Sequence, residues 1–230
     1  MTGIRVGGLT PFTTIDFPGR LAAVVWCQGC PWRCRYCHNG HLLSRDVSPA
    51  LAWGEVLAFL RQRRGLLDAV VFSGGEPTLQ KSLDGAMRDI RQLGFDIGLH
   101  TAGCYPDRLA SLLPFVDWVG LDIKSLPENY AGITGVPGSG EKAWRSLEAV
   151  LASGVSYEVR VTVHSALLSR EQAAGLVGTL HGFDVQQVVL QRCGSHGLLD
   201  DALPAPGGSW ADGAGFPMLA GEGPRVITRS

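Results

Sequence analysis

Short apolar runs alternate along this chain with segments whose apolar residues return at helical steps. Leu21–Trp26 (LAAVVW) reads as a first strand, Asp68–Phe72 (DAVVF) as a second and Phe95–His100 (FDIGLH) as a third. Trp118–Ile123 (WVGLDI), Tyr157–Val163 (YEVRVTV) and Gln187–Leu190 (QVVL) give a fourth, fifth and sixth. Each is short and rich in β-branched or aromatic residues, as strands are. Between them Leu83, Met87 and Ile90 recur at steps of four and three, and Val150 and Leu151 lie three and four residues past Leu147, which predicts amphipathic helices. Near-continuous apolar strands separated by helices predict a parallel sheet covered by helices. Six such units fall short of the eight of a closed barrel. The pattern alone fits an open partial barrel or a doubly wound sheet, and in both the functional groups belong at the C-terminal ends of the strands.

Composition and charge narrow this picture. The 230 residues, 45% hydrophobic and 18% charged, suit one folded domain with a substantial core. Residues 1–203 read as that domain, with an N-terminal extension ahead of the first strand. Residues 204–230, rich in Gly, Pro and Ala, read as an irregular C-terminal tail. No internal repeat is visible. Twenty basic against 21 acidic residues leave a formal charge of −1. Such a balance offers no long-range field to capture nucleic acid or an anionic membrane. The first residues lack the apolar core of a signal peptide, and the longest apolar runs fall far short of the ~20 residues that span a bilayer. A cytoplasmic location is expected, and there six cysteines do not make a disulfide framework.

The cysteines are unevenly placed. Cys30-Pro-Trp-Arg-Cys34-Arg-Tyr-Cys37-His-Asn follows the first strand directly, with Cys27 just before it, while Cys104 and Cys193 stand apart. Three thiolates from one loop can hold an iron–sulfur cube and leave one iron without a protein ligand. A zinc site wants four ligands, which His38, Cys27 or a distant cysteine would have to complete. Spacing alone leaves both readings open. A second motif bears on the choice: Ser73-Gly74-Gly75-Glu76-Pro77 ends the second strand. Two glycines let the backbone approach a ligand closely, and Pro77 fixes the chain as it enters the next helix.

With both motifs in place, residues 3 to 192 resemble the radical S-adenosylmethionine (SAM) superfamily in motif order and strand count. The resemblance implies a partial (β/α)6 TIM-like barrel. It also implies a [4Fe–4S] cluster on Cys30, Cys34 and Cys37, whose fourth iron is chelated by the amino and carboxylate groups of SAM. In that family an electron from the cluster cleaves SAM to methionine and a 5′-deoxyadenosyl radical, which abstracts a hydrogen atom; the cofactor carries the chemistry and the protein orients it. Carried over by position, Tyr36 would lie near the adenine, and Gly74, Gly75 and Glu76 would meet the methionine amino group. Thr101, Asp122 and Lys124 would line the SAM pocket at strand ends, Lys124 pairing with the carboxylate, and Arg160 is a further candidate there. Structural roles are expected for His100, His164 and His196, packing roles for Trp26 and Trp32, and small buried apolar roles for Cys27, Cys104 and Cys193.

A closer resemblance lies in the opening GGLTPFTTIDFPGRLAAVVWCQGCPWRCRYCHN. The approach from Thr13 to Gly19, the QGC and the CHN are similar to the anaerobic ribonucleoside-triphosphate reductase activating proteins. The resemblance implies an oxidoreductase that takes the Cα hydrogen of a glycine on a partner glycyl-radical enzyme, with a flavodoxin or ferredoxin-type electron donor. One departure is that His100 stands where some such activases have an acidic residue, which puts in doubt a monovalent-cation site beside Asp122. No cysteine-rich insert follows the first motif, so one cluster is expected. The rival readings are a small-molecule radical SAM enzyme of the 7-carboxy-7-deazaguanine synthase kind and a non-catalytic zinc-binding module.

Overall fold

The computed structural model describes residues 3–206 and 224–229. One eight-stranded sheet runs through it in chain order: β1 (Val6–Thr13), β2 (Ala22–Cys27), β3 (Ala69–Gly74), β4 (Asp96–Thr101), β5 (Trp118–Asp122), β6 (Ser156–Val163), β7 (Gln187–Arg192) and β8 (Arg225–Arg229). β1 lies antiparallel to β2, and every later pair is parallel. A doubly wound sheet reverses its strand order at a switch point. No reversal occurs here, so the alternation resolves to a partial barrel. All six expected strands are present.

The helices are α1 (Trp53–Arg61), α2 (Leu83–Gln92), α3 (Pro106–Leu112), α4 (Tyr130–Thr134), α5 (Ser139–Ser153) and α6 (Arg170–Gly182). α2 and α5 carry the apolar stripes expected of them, burying Leu83, Met87 and Ile90, and Leu147 and Val150. The strands divide their side chains by the period of two. Val25, Phe72, Leu99, Val119, Val161 and Leu190 face the helices in the main core. The opposite face is apolar only near the strand starts, where Ala22, Val24, Ala69, Val71 and Trp118 pack around Phe17. Phe17 stacks on Trp118 with ring centroids 5.3 Å apart. The segment from Thr13 to Gly19 thus fills the base of the barrel interior and leaves its upper half polar.

Two elements lie outside the expected pattern. β1 falls inside the N-terminal extension, for which the sequence predicts no strand, and β8 falls inside the segment expected to be an irregular tail. β8 extends the sheet beside β7, pairing Gln187 with Arg225 and Gln191 with Arg229. Its RVITR sequence is a short β-branched run that the Gly and Pro content around it obscured. The rest of that tail, residues 207–223, lies outside the described residues.

Candidate active site

The cysteine loop is held from both sides. Gln28 is buried, and its side-chain amide donates to the carbonyls of His41 and Ser44 at 3.2 and 2.8 Å. The Gln28 carbonyl accepts from the Gln80 side chain at 2.6 Å. Gly29 turns at φ 100°, a left-handed backbone that suits glycine. The amides of Arg33 and Arg35 donate to the carbonyls of Thr134 and Ile133 on α4, both at 2.9 Å. Trp32 is buried edge-on to Tyr130, 5.9 Å between centroids, and fills the gap between loop and helix. These contacts fix a segment that has no regular structure of its own.

The glycines of the second motif serve this loop before any ligand. A Cβ on Gly75 would stand 2.4 Å from the Gly29 carbonyl oxygen, and one on Gly74 2.5 Å from the Cys27 nitrogen. Their absence lets the Gly75 and Glu76 amides donate to the Cys27 and Gly29 carbonyls, each at 2.9 Å. Glu76 is turned away from the cavity. Fully buried, its carboxylate accepts from the Thr78 amide and hydroxyl (3.0 and 2.6 Å), the Thr101 hydroxyl (2.7 Å) and the Ala102 amide (3.0 Å). Its side chain therefore clasps the ends of β3 and β4 together.

Past β5, Asp122 and Lys124 converge with Tyr36. Lys124 Nζ lies 3.3 Å from the Asp122 carboxylate and 5.6 Å from the centre of the Tyr36 ring. Burial works against the Lys124 charge, but Tyr36, Asp122 and Cys34 around it outweigh that and hold the amine well above its ordinary range. The Lys124 amide donates to the Tyr130 hydroxyl at 2.9 Å. The Tyr36 hydroxyl is buried without a hydrogen-bond partner. Such a group costs stability unless something binds to it.

On the inner face, Arg160 lies across Gly120, where a Cβ would meet its guanidinium carbon at 2.6 Å, and its guanidinium sits 5.1 Å from the Trp118 ring centre. Its Nη2 is 2.9 Å from His100 Nε2. His100 Nε2 is also 2.7 Å from the Asp16 carbonyl oxygen; this one nitrogen accepts from Arg160 in one tautomer and donates to Asp16 in the other, and the ring sits between the inner face and the Thr13–Gly19 segment. Burial and the neighbouring Arg160 push His100 well below the ordinary imidazole range, keeping it neutral.

These groups open on one cavity of ≈ 260 Å³ at the C-terminal ends of the strands. Cys30, Cys34, Cys37 and Tyr36 line it from the loop, Gly74, Gly75 and Thr101 from β3 and β4, and Asp122, Lys124 and Arg160 from β5 and β6. Of the candidates read from sequence, only Glu76 is absent from that lining. His100, set beside Asp122 by the resemblance, lines it too, and so do Ser73 of the second motif and Thr162 and Gln191, which neither motif marks. Their signal was available, since Asp122, Arg160 and Thr162 belong to one alternating face of their strands. Two of the remaining cysteines are also better connected than small apolar groups. Cys104 hydrogen-bonds Cys30, the leading cause of a lowered Cys30 pKa, and Cys193 Sγ lies 3.7 Å from His38 Nε2.

The donor set fits an iron–sulfur cluster. Among the described residues, no three His, Cys, Asp or Glu side chains converge tightly enough to hold a single metal ion. The three thiols line one cavity, as ligands to separate irons of a single cluster must.

The radical SAM superfamily profile matches residues 24–174, and the chain belongs to that superfamily. The family implies a [4Fe–4S] cluster and SAM. Within it the chain is similar to activating enzymes of glycyl-radical enzymes. A Methanocaldococcus jannaschii protein bearing that name is 27% identical over 80% of this chain and 78% of its own length. The pyruvate formate-lyase-activating enzyme of Clostridium pasteurianum is 30% identical over 73% and 72%. A 7-carboxy-7-deazaguanine synthase of Thermococcus kodakarensis, 29% identical, matches 46% of this chain and 50% of its own length. The fold is shared with Streptococcus suis SuiB bound to S-adenosylmethionine, at TM-score 0.65 and 17% identity over 82% of this chain and 44% of that one. Among the described residues, no helix is long and apolar enough to cross a membrane.

Proposed function

We propose that this chain activates a glycyl-radical enzyme, with anaerobic ribonucleoside-triphosphate reductase as the partner. The observation that carries the reading is the meeting, in one cavity, of three loop thiols with the Lys124–Asp122 pair and the unpartnered Tyr36 hydroxyl. When bound, the cluster and SAM supply one-electron cleavage of SAM and abstraction of a glycine Cα hydrogen. Cys30, Cys34 and Cys37 would hold the cluster. Lys124, its charge supported by the Asp122 carboxylate that also holds the amine in place, suits the SAM carboxylate. Gly74, Gly75 and Thr101 offer a backbone edge and a hydroxyl at the mouth of β3 and β4, where the SAM amino group would sit. Tyr36 presents its ring and hydroxyl to the adenosine end, and Arg160 with His100 forms the floor. A flavodoxin or ferredoxin-type protein would deliver the electron, and the cytoplasm would supply both proteins.

The two activating-enzyme relatives, which match most of the chain, favour a protein substrate over the small-molecule reading, whose representative matches under half. The test is to mix the anaerobically reconstituted protein with SAM, reductant and a purified anaerobic reductase, and to record the electron paramagnetic resonance spectrum. A glycyl doublet on the reductase is expected. SAM cleavage without that doublet on this or any other glycyl-radical enzyme tried would point to a small-molecule substrate.

A further inference from the structure

Glu158 is 1% exposed and faces the barrel interior one strand step below Arg160. A carboxylate buried so deeply is costly unless every oxygen is paired. Arg160 Nε donates to Glu158 Oε1 at 2.8 Å. The other contacts come from the C-terminal strand: Arg229 places Nη1 2.7 Å from Oε1 and Nη2 2.9 Å from Oε2. This two-pronged pairing is the geometry that the planar guanidinium provides and an ammonium does not. Because Arg229 occupies Oε2, Arg160 meets Glu158 through Nε alone and keeps Nη2 for His100 at 2.9 Å. Arg160 then lies along Trp118, its tip at the cavity.

We propose that Arg229 is a positioning residue for the active site: by saturating Glu158 it holds Arg160 against His100 in the cavity floor, making β8 a working part of the SAM site. The proposal rests on the reading of the cavity as that site. Without Arg229, Glu158 Oε2 loses its partner in a buried place, and the nearest donor able to replace it is Arg160. A fork-to-fork pairing of Arg160 with Glu158 would draw Nη2 off His100 and withdraw the guanidinium from the cavity.

The test is a double-mutant cycle on the reconstituted holoprotein, read as SAM dissociation constants alongside iron content and thermal melts. R229M is expected to weaken SAM binding by roughly tenfold, in the range seen when supporting partners of a site are removed, with iron content unchanged. In an R160M background the same change is expected to shift Kd by less than about twofold, the limit of ordinary additivity. R229K keeps the charge but loses the fork; it gives a smaller rise that also disappears with R160M, and it carries the test should R229M fail to fold. An R229M effect of equal size with and without Arg160, or none at all, overturns the proposal while leaving the SAM site intact. A wild-type holoprotein that binds no SAM overturns the cavity reading and the proposal with it.

Discussion

Lys124 and His100 show how one cavity sets opposite charge states on two bases. Lys124 sits among Tyr36, Asp122 and Cys34 and stays protonated, whereas His100 faces Arg160 and stays neutral. Removing the amine with K124A should weaken SAM binding by about 1.5–3 kcal/mol, or roughly one to two decades in Kd. Iron content should not change, so titration of the holoprotein with SAM separates the two effects; unchanged affinity would remove Lys124 from the site. His100 makes a prediction about pH. Its folded pKa lies below its unfolded one, so the unfolded chain binds the extra proton first. The stability tied to neutral His100 is therefore complete above the ordinary imidazole value and is lost as pH falls below it toward the depressed folded value. Melting temperatures across that acidic window should fall less steeply in H100Q. A slope identical to wild type would show that the imidazole is not held neutral. At this scale the sequence was informative wherever a motif fixed a residue's position, as for the cysteines, Tyr36 and Lys124. It said least about Glu76, because the way a buried carboxylate turns depends on neighbours such as Thr101 and Ala102 at the end of another strand.

Among the elements, the cysteine loop depends most on what lies far from it in sequence. α4 has only five residues, yet it supplies the carbonyls for Arg33 and Arg35, the ring against Trp32 and the hydroxyl for the Lys124 amide. Replacing Tyr130 with Phe keeps the packing and strips the acceptor from a buried amide. That should cost about 1–3 kcal/mol, seen as a lower melting temperature, with the cluster lost more readily on dilution or chelation. A melt matching wild type would mean that water replaces the hydroxyl. The six interior strands were legible because each carries a short run of β-branched and other apolar residues on its helix-facing side. The edges were not. β1 opens with two glycines after Val6 and exposes Pro11 and Phe12, and β8 is five residues long with an arginine at either end. Such strands are defined by the neighbour that completes their hydrogen bonds, which local pattern does not register. For α4 the apolar spacing is too short to carry a helical period at all.

Across the whole molecule, the sequential order of the parallel strands decides the function more than any single motif. It brings the ends of β2 to β7 around one mouth, so a loop near residue 30, a turn near 75 and strand ends near 101, 122 and 160 share a cavity. The sequence predicted that convergence at strand ends but left the choice between a partial barrel and a doubly wound sheet open, because both use the same alternation. What closes the base was not readable either: Phe17 is placed by its stack on Trp118, a contact spanning 101 positions, from 17 to 118. The central claim is that Cys30, Cys34 and Cys37 hold a cluster that cleaves SAM reductively. The most direct measurement is anaerobic reconstitution with iron and sulfide, followed by iron counting and assay of 5′-deoxyadenosine after addition of SAM and dithionite. The account predicts a brown protein with about four irons per chain that releases 5′-deoxyadenosine, and loss of both in C34A. A colourless protein that retains zinc, or one that leaves SAM intact, would contradict it.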